Sequence, residues 1–115
     1  MAKPLIHATN SVKRFGGRPE DYQAIHDFID CTKAALSDMR HRACLHNTMG
    51  PFIAERVFGL TVKNSDGKNI SVRDVAEQHI IDDLGFIPTL EKWFEKMPEE
   101  PWMMGIRTKK LQIVD

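Results

Sequence analysis

Glu20-Asp21-Tyr22-Gln23-Ala24-Ile25-His26-Asp27-Phe28-Ile29-Asp30 opens a run that reaches Met49 without a glycine or a proline. A stretch of that length with no backbone breaker reads as one long helix, or as two broken near Ser37-Asp38, where an N-cap signal appears. Pro19 fits the first helical turn, and Glu20 and Asp21 suit the positive end of its dipole. Tyr22, Ile25, Ile29, Leu36, Met39 and Ala43 recur at helical spacing and mark the expected core face.

Downstream, Gly50-Pro51 restarts a shorter helix through Phe52, Ile53 and Val57 that closes at Gly59. Leu60 to Lys63 and Lys68 to Ile70 flank Asn64-Ser65-Asp66-Gly67, a strong hairpin signal. Ser71, with Asp74 three residues on, caps a helix carrying Val72, Val75, Ala76, Ile80 and Leu84 and ending at Gly85. Pro88-Thr89 opens a last helix with Leu90, Trp93, Phe94 and Met97 on one side. Upstream, residues 1–18 lack strong periodicity, and Ser11 to Arg18 reads as a glycine loop with basic flanks. The expected fold is mostly α with a small β-hairpin: a compact single-domain helical bundle of about four or five helices over residues 1–115.

Composition narrows the function classes. The 16 basic and 16 acidic residues cancel, which argues against general nucleic-acid binding. Near-zero net charge also lowers the electrostatic cost of self-association. Cys31 and Cys44 form neither a disulfide framework nor a zinc-knuckle pair and are expected to be buried thiols. With no signal-peptide core and no run of membrane-spanning length, a cytoplasmic protein is expected.

Five histidines are scattered among carboxylates and arginines, residues that bind metals, move protons or grip phosphate. On a continuous helix, His26, Asp30, Lys33, Ser37 and Arg40 or His41 would share a stripe, either a metal or proton-transfer face or simply a solvated one. His26 and Asp30 are therefore candidate ligands for a divalent metal. His26-Asp27 also matches the adjacent pair of HD-type phosphohydrolases, with His7 or His46 and Asp82 or Asp83 as further ligands. His79 and Asp83 stand four apart on a core-facing helix and read as a satisfied pair or part of a site. His41 and His46 lie about 140° apart around a helix, so they meet only with help from a bend at Asn47. The loop carrying Lys13, Arg14 and Arg18 is a candidate anion cradle at a helix start, or an ordinary basic surface loop. Arg40 and Arg42 point to different faces, so at most one shares a pocket. Trp102-Met103-Met104 is a candidate self-association edge.

His7-Ala8, Ser11-Val12-Lys13-Arg14-Phe15-Gly16-Gly17, Arg40-His41-Arg42, His46-Asn47-Thr48, Glu55 with Phe58-Gly59, Asn64-Ser65-Asp66-Gly67, Val72-Arg73-Asp74, Glu77-Gln78-His79 and Gly85 with Ile87-Pro88-Thr89 occur in order across the chain. Together they resemble a family of small uncharacterised proteins of phages and bacteria. The resemblance runs from about His7 to Met104 and leaves Gly105 to Asp115 outside. It implies a context, the host cytoplasm if phage-encoded, and no mechanism. Three functions are expected to compete. In the first, the protein hydrolyses or cleaves a phosphate-containing small molecule, a nucleotide above all. There Lys13, Arg14, Arg40 and Arg42 hold phosphate, and His41, His46, His79 and Asp83 do the chemistry. The second is a non-catalytic sponge for nucleotide second messengers. The third is a structural or interaction protein whose polar groups form an internal network.

Overall fold

Helix α4 (Val72–Leu84) is the element on which the others are assembled. Helices α1 (Pro4–Phe15), α2 (Gln23–Ile29) and α3 (Gly50–Phe58) and strand β2 (Asn69–Ser71) all pack against it. The structure, a computed structural model, describes residues 4–105, so of the tail from Gly105 to Asp115 only the first residue is included. The Ser71 side chain starts α4 by accepting the N–H of Asp74, and Gly85, left-handed at φ 83°, stops it. Strand β1 (Thr61–Lys63) pairs antiparallel with β2, Val62 opposite Ile70. Thr89 caps α5 (Leu90–Phe94) by accepting the N–H of Lys92. The architecture is thus mostly α with one small hairpin, and no helix among the described residues is long and apolar enough to cross a membrane.

Two buried regions meet along α4. Its apolar side, Val72, Val75, Ala76 and Ile80, closes on Tyr22, Ile25, Ile29, Ala54 and Ile70. Truncating one of the large aliphatic members to alanine costs about 2–5 kcal/mol, since the neighbours collapse only partly into the space left. The other region is polar and holds His7, Ser11, His26, Asp30, His41, His46, Gln78 and His79. Residues buried on both sides of α2 and α4 therefore include neighbours of opposite character, such as Ile25 beside His26.

Several expectations change. The run from Glu20 to Met49 is not one helix. It is a 3-10 turn at Pro19–Asp21, then α2, then 3-10 segments at Cys31–Ala34 and Met39–Cys44. Asp38 takes the backbone N–H of Arg40 with its own side chain, the local competition by which Asp breaks helices. Leu36 and Met39, assigned to a core face, are consequently exposed, and so are Cys31 and Cys44.

The segment before Gly16 is not a loop: Ser11 to Phe15 complete α1. The inward face of α1 carries His7, Ala8 and Ser11, while Leu5 and Ile6 face solvent, so its apolar residues do not report its buried side.

Backbone N–H groups of the Gly16-Gly17 turn are taken by carboxylates of this chain. The N–H of Gly17 donates to Asp66 Oδ2 at 3.0 Å and that of Arg18 to Asp21 Oδ2 at 2.8 Å. Asp21 also accepts the backbone N–H and hydroxyl of Ser65, and Asn64 donates to the carbonyl of Phe15. Gly17 sits at φ 75°, and a Cβ there would meet Asp21 and Asn64, so both its conformation and its close approach require glycine. Beneath the turn, the Tyr22 hydroxyl donates to the carbonyl of Gly16 at 2.6 Å.

A histidine and aspartate cage at the centre of the bundle

All five histidines of the chain converge, each 2% exposed or less. α1 contributes His7, α2 contributes His26, the Met39–Cys44 segment contributes His41, and α4 contributes His79. His46 sits in the link to α3. Asn47 shapes that link: its side chain donates to the carbonyls of Ala43 and Cys44 and accepts the N–H groups of Met49 and Gly50. Gly50 is packed onto the carbonyl of Leu45, where a Cβ has no room. The resulting bend points His46 at α4.

At the centre four atoms face one another. His46 Nε2 lies 3.0 Å from Asp83 Oδ2 and 3.5 Å from Asp30 Oδ1. His79 Nε2 lies 3.1 Å from Asp30 Oδ1 and 3.3 Å from Asp83 Oδ2. All four atoms lie within 4.8 Å of one another, a spacing at which they could hold a metal ion. Tetrahedral bonds of about 2.0–2.1 Å require ligand–ligand edges of about 3.3–3.4 Å, and the four nitrogen–oxygen edges bracket that value. Among the described residues, Asp30 Oδ2 and His46 Nδ1 have no hydrogen-bond partner.

Charge follows the same geometry. Burial pushes the Asp83 carboxyl upward, but hydrogen bonds from His46, His7 and His79 outweigh it and hold the group far below the usual carboxylate range. Asp30 is lowered too, its contacts with His79 outweighing burial. Burial lowers His46, whereas the two aspartates raise His79 against it. His26, desolvated and facing His79 and His7, is pushed down to about 3 and is neutral at pH 7.

Around the cage, His7 Nδ1 lies 3.1 Å from Asp82 Oδ2 and its Nε2 lies 3.2 Å from Asp83 Oδ1. Arg42 reaches the same Asp83 oxygen at 3.6 Å. The Thr32 hydroxyl donates to the His41 carbonyl at 2.8 Å, so it accepts from His41 Nδ1 at 3.0 Å. That leaves His41 Nε2 as an acceptor, without a partner among the described residues. Burial lowers the pKa of this ring. On the outer side of the same segment, Arg40, Ala43 and Cys44 line a groove of about 830 Å³ closed by Leu90, Trp93, Phe94 and Lys96.

Of the residues singled out above, His41, His46, His79, Asp83, Asp30, His26 and Arg42 come together. Asp30 is one of the four cage residues, while His26 stands behind His79 and does not reach the cage. Lys13 and Arg14 are exposed on α1. Arg40 is exposed and folds back on Asp38 at 2.8 Å. The adjacent His26-Asp27 pair does not act as a unit, because Asp27 is exposed and accepts from Gln23 on its own helix. Sequence reasoning passed over Ser11, Thr32 and Gln78, ordinary polar residues whose burial has no local signature.

The chain belongs to the family described as Domain of unknown function (DUF6915), whose family model matches residues 2–103. No curated protein and no solved structure matches it.

Proposed function

We propose that this protein is a metal-dependent hydrolase of a phosphate-containing small molecule, a nucleotide in a phage-type setting. The observation that carries the reading is the cage: two imidazole nitrogens and two carboxylate oxygens with edges of 3.0–3.5 Å. Arg42 compensates Asp83 in part from 3.6 Å, and a divalent ion would compensate both carboxylates at a depth where charge is costly. A divalent ion held there supplies Lewis acidity and lowers the pKa of a bound water.

The surrounding residues fit the remaining roles. His41, neutral and with a free Nε2 acceptor, takes a proton from the attacking water, and Thr32 fixes its tautomer. Arg42 neutralises phosphate from beside Asp83. The groove bordered by Arg40, Ala43 and Cys44 of the same segment has the size of a small-molecule site and offers Trp93 for stacking and Lys96 and Arg40 for charge. The same reading has the protein working in the cytoplasm, the host's if phage-encoded. Exposed Trp102 and Met104 would serve homo-oligomer contacts.

One observation favours a second, non-catalytic reading. Asp30, His46, His79 and Asp83 have side chains no more than 5% exposed, and closed four-ligand sites are the structural kind. In that case the cation fastens α2 to α4 and the protein acts as an interaction module. The sponge has less support, because Lys13 and Arg14 do not line the groove that Arg40 borders.

The test is a chromatographic assay of cyclic and linear nucleotides incubated with the protein, with and without Zn2+ or Mn2+. Metal-dependent product, lost by about 10²–10⁴-fold in His41→Ala with the cation still bound, is the expected result. A nucleotide recovered intact after heating the protein would indicate a sponge. Nucleotides left free and unchanged, with cation bound, would establish the closed structural centre.

A further inference from the structure

Behind the cage, a chain of short polar contacts runs away from His79. His79 Nδ1 lies 3.0 Å from His26 Nδ1, and His26 Nε2 lies 2.8 Å from Ser11 Oγ. Ser11 Oγ lies 2.6 Å from Gln78 Oε1, and Gln78 Nε2 donates to the carbonyl of His7 at 3.1 Å and to Asp82 Oδ2 at 2.8 Å.

The protons along this chain can be assigned from its far end. The Gln78 nitrogen must face the His7 carbonyl and the Asp82 carboxylate, since both only accept. Its oxygen therefore faces Ser11, and two oxygens 2.6 Å apart require a proton between them, which only the Ser11 hydroxyl has. With its one proton committed, Ser11 accepts from His26, so His26 carries hydrogen on Nε2. His26 is fully buried and has no carboxylate in hydrogen-bond contact among the described residues, so it carries a single hydrogen, and its Nδ1 is an acceptor. The facing nitrogen of His79 must then donate.

We infer that Gln78, Ser11 and His26 form a one-way hydrogen-bond relay that holds His79 as its Nδ1–H tautomer. Nε2, which donates to Asp30 and Asp83 when no cation is bound, is then the nitrogen that exchanges its hydrogen for a divalent transition-metal cation in the cage. The inference rests on the metal-centre reading above and adds its cation class and three positioning residues. Neutral imidazole donors suit Zn2+ and Co2+, whereas Mg2+ and Ca2+ prefer all-oxygen shells. Partners behind a ligating histidine orient it and commonly contribute 10–100-fold to metal affinity. The relay is specific to His79, since His46 Nδ1 has no such partner among the described residues.

Two measurements test this. Imidazole ¹H–¹⁵N correlation spectra of the zinc-loaded protein should show hydrogen on Nδ1 of His79 and on Nε2 of His26; hydrogen on His26 Nδ1 would overturn the relay. Chelator competition should show Zn2+ bound far more tightly than Mg2+. In the same assay His26→Leu should weaken Zn2+ by about 10–100-fold, and His26→Asn, which restores an acceptor oxygen, should recover most of the loss. Equal affinities for Zn2+ and Mg2+, or an unaffected leucine variant, would also overturn the inference. Binding of no cation at all by the wild-type protein removes the metal-centre reading with it, whereas tight binding with reversed tautomers removes the relay alone.

Discussion

The indole N–H of Trp93 donates a 2.8 Å hydrogen bond to the backbone carbonyl of His46. Through it α5, which lines the surface groove, is tied to a residue of the central cage 47 positions earlier in the chain. Trp93→Phe keeps an aromatic body and removes the donor. We expect a loss of about 1 kcal/mol in urea unfolding, with weaker cation binding as His46 gains freedom. A variant as stable as wild type, with unchanged Zn2+ affinity, would disconnect α5 from the cage.

Removing the proposed cation should destabilise the whole fold, because the cage joins residues that the unfolded chain scatters from Asp30 to Asp83. At a free concentration about a hundredfold above its dissociation constant, a ligand bound only by the native state adds about 2.7 kcal/mol. For a domain of this size that is roughly 10 °C in Tm. Thermal melts with EDTA and after restoring Zn2+ should differ by this order, and superimposed melts would count against a bound cation.

Asn47→Ala should be among the most damaging polar truncations in the protein. The side chain is fully buried and satisfies two carbonyls and two N–H groups at the start of α3. Leaving them unmet costs about 2–4 kcal/mol. Chemical denaturation gives the loss directly, and a cost within experimental error would mean that the bend before α3 persists without it.

Asp21 predicts a pH dependence confined to the acid range. Backbone N–H groups of Arg18 and Ser65 hold its carboxyl below the usual aspartate range. A folded pKa below the unfolded one gives stability that is fully present above the unfolded value and is lost as pH falls through the folded one. The stability gap between wild type and Asp21→Asn should therefore be constant from neutral pH down to about 5 and narrow as pH falls below the ordinary aspartate value. A gap unchanged at pH 3 would show that the carboxylate charge is irrelevant to the hairpin contact.

How far each element was legible depended on whether its determinants were local. α4 could be read from its cap, its apolar stripe and Gly85, and the hairpin from Asn64 to Gly67, because capping and turn geometry act within a few residues. α1 could not, because His7 and Ser11 occupy inward positions where a pattern reading looks for apolar side chains. The Glu20–Met49 run misled for a related reason: absence of breakers permits a helix but does not compel one. His79 and Asp83 stood out as an i,i+4 pair, yet nothing near them pointed to Asp30 or His46.

By itself, then, the sequence determined the mostly helical class, the hairpin, the caps and an inventory of titratable groups, all consequences of short-range backbone chemistry. Only the tertiary structure decided that Asp30, His46, His79 and Asp83 enclose one point and that Ser11 and Gln78 stand behind them. Those contacts span tens of residues, and their energies depend on distances that exist only once the helices have packed around α4.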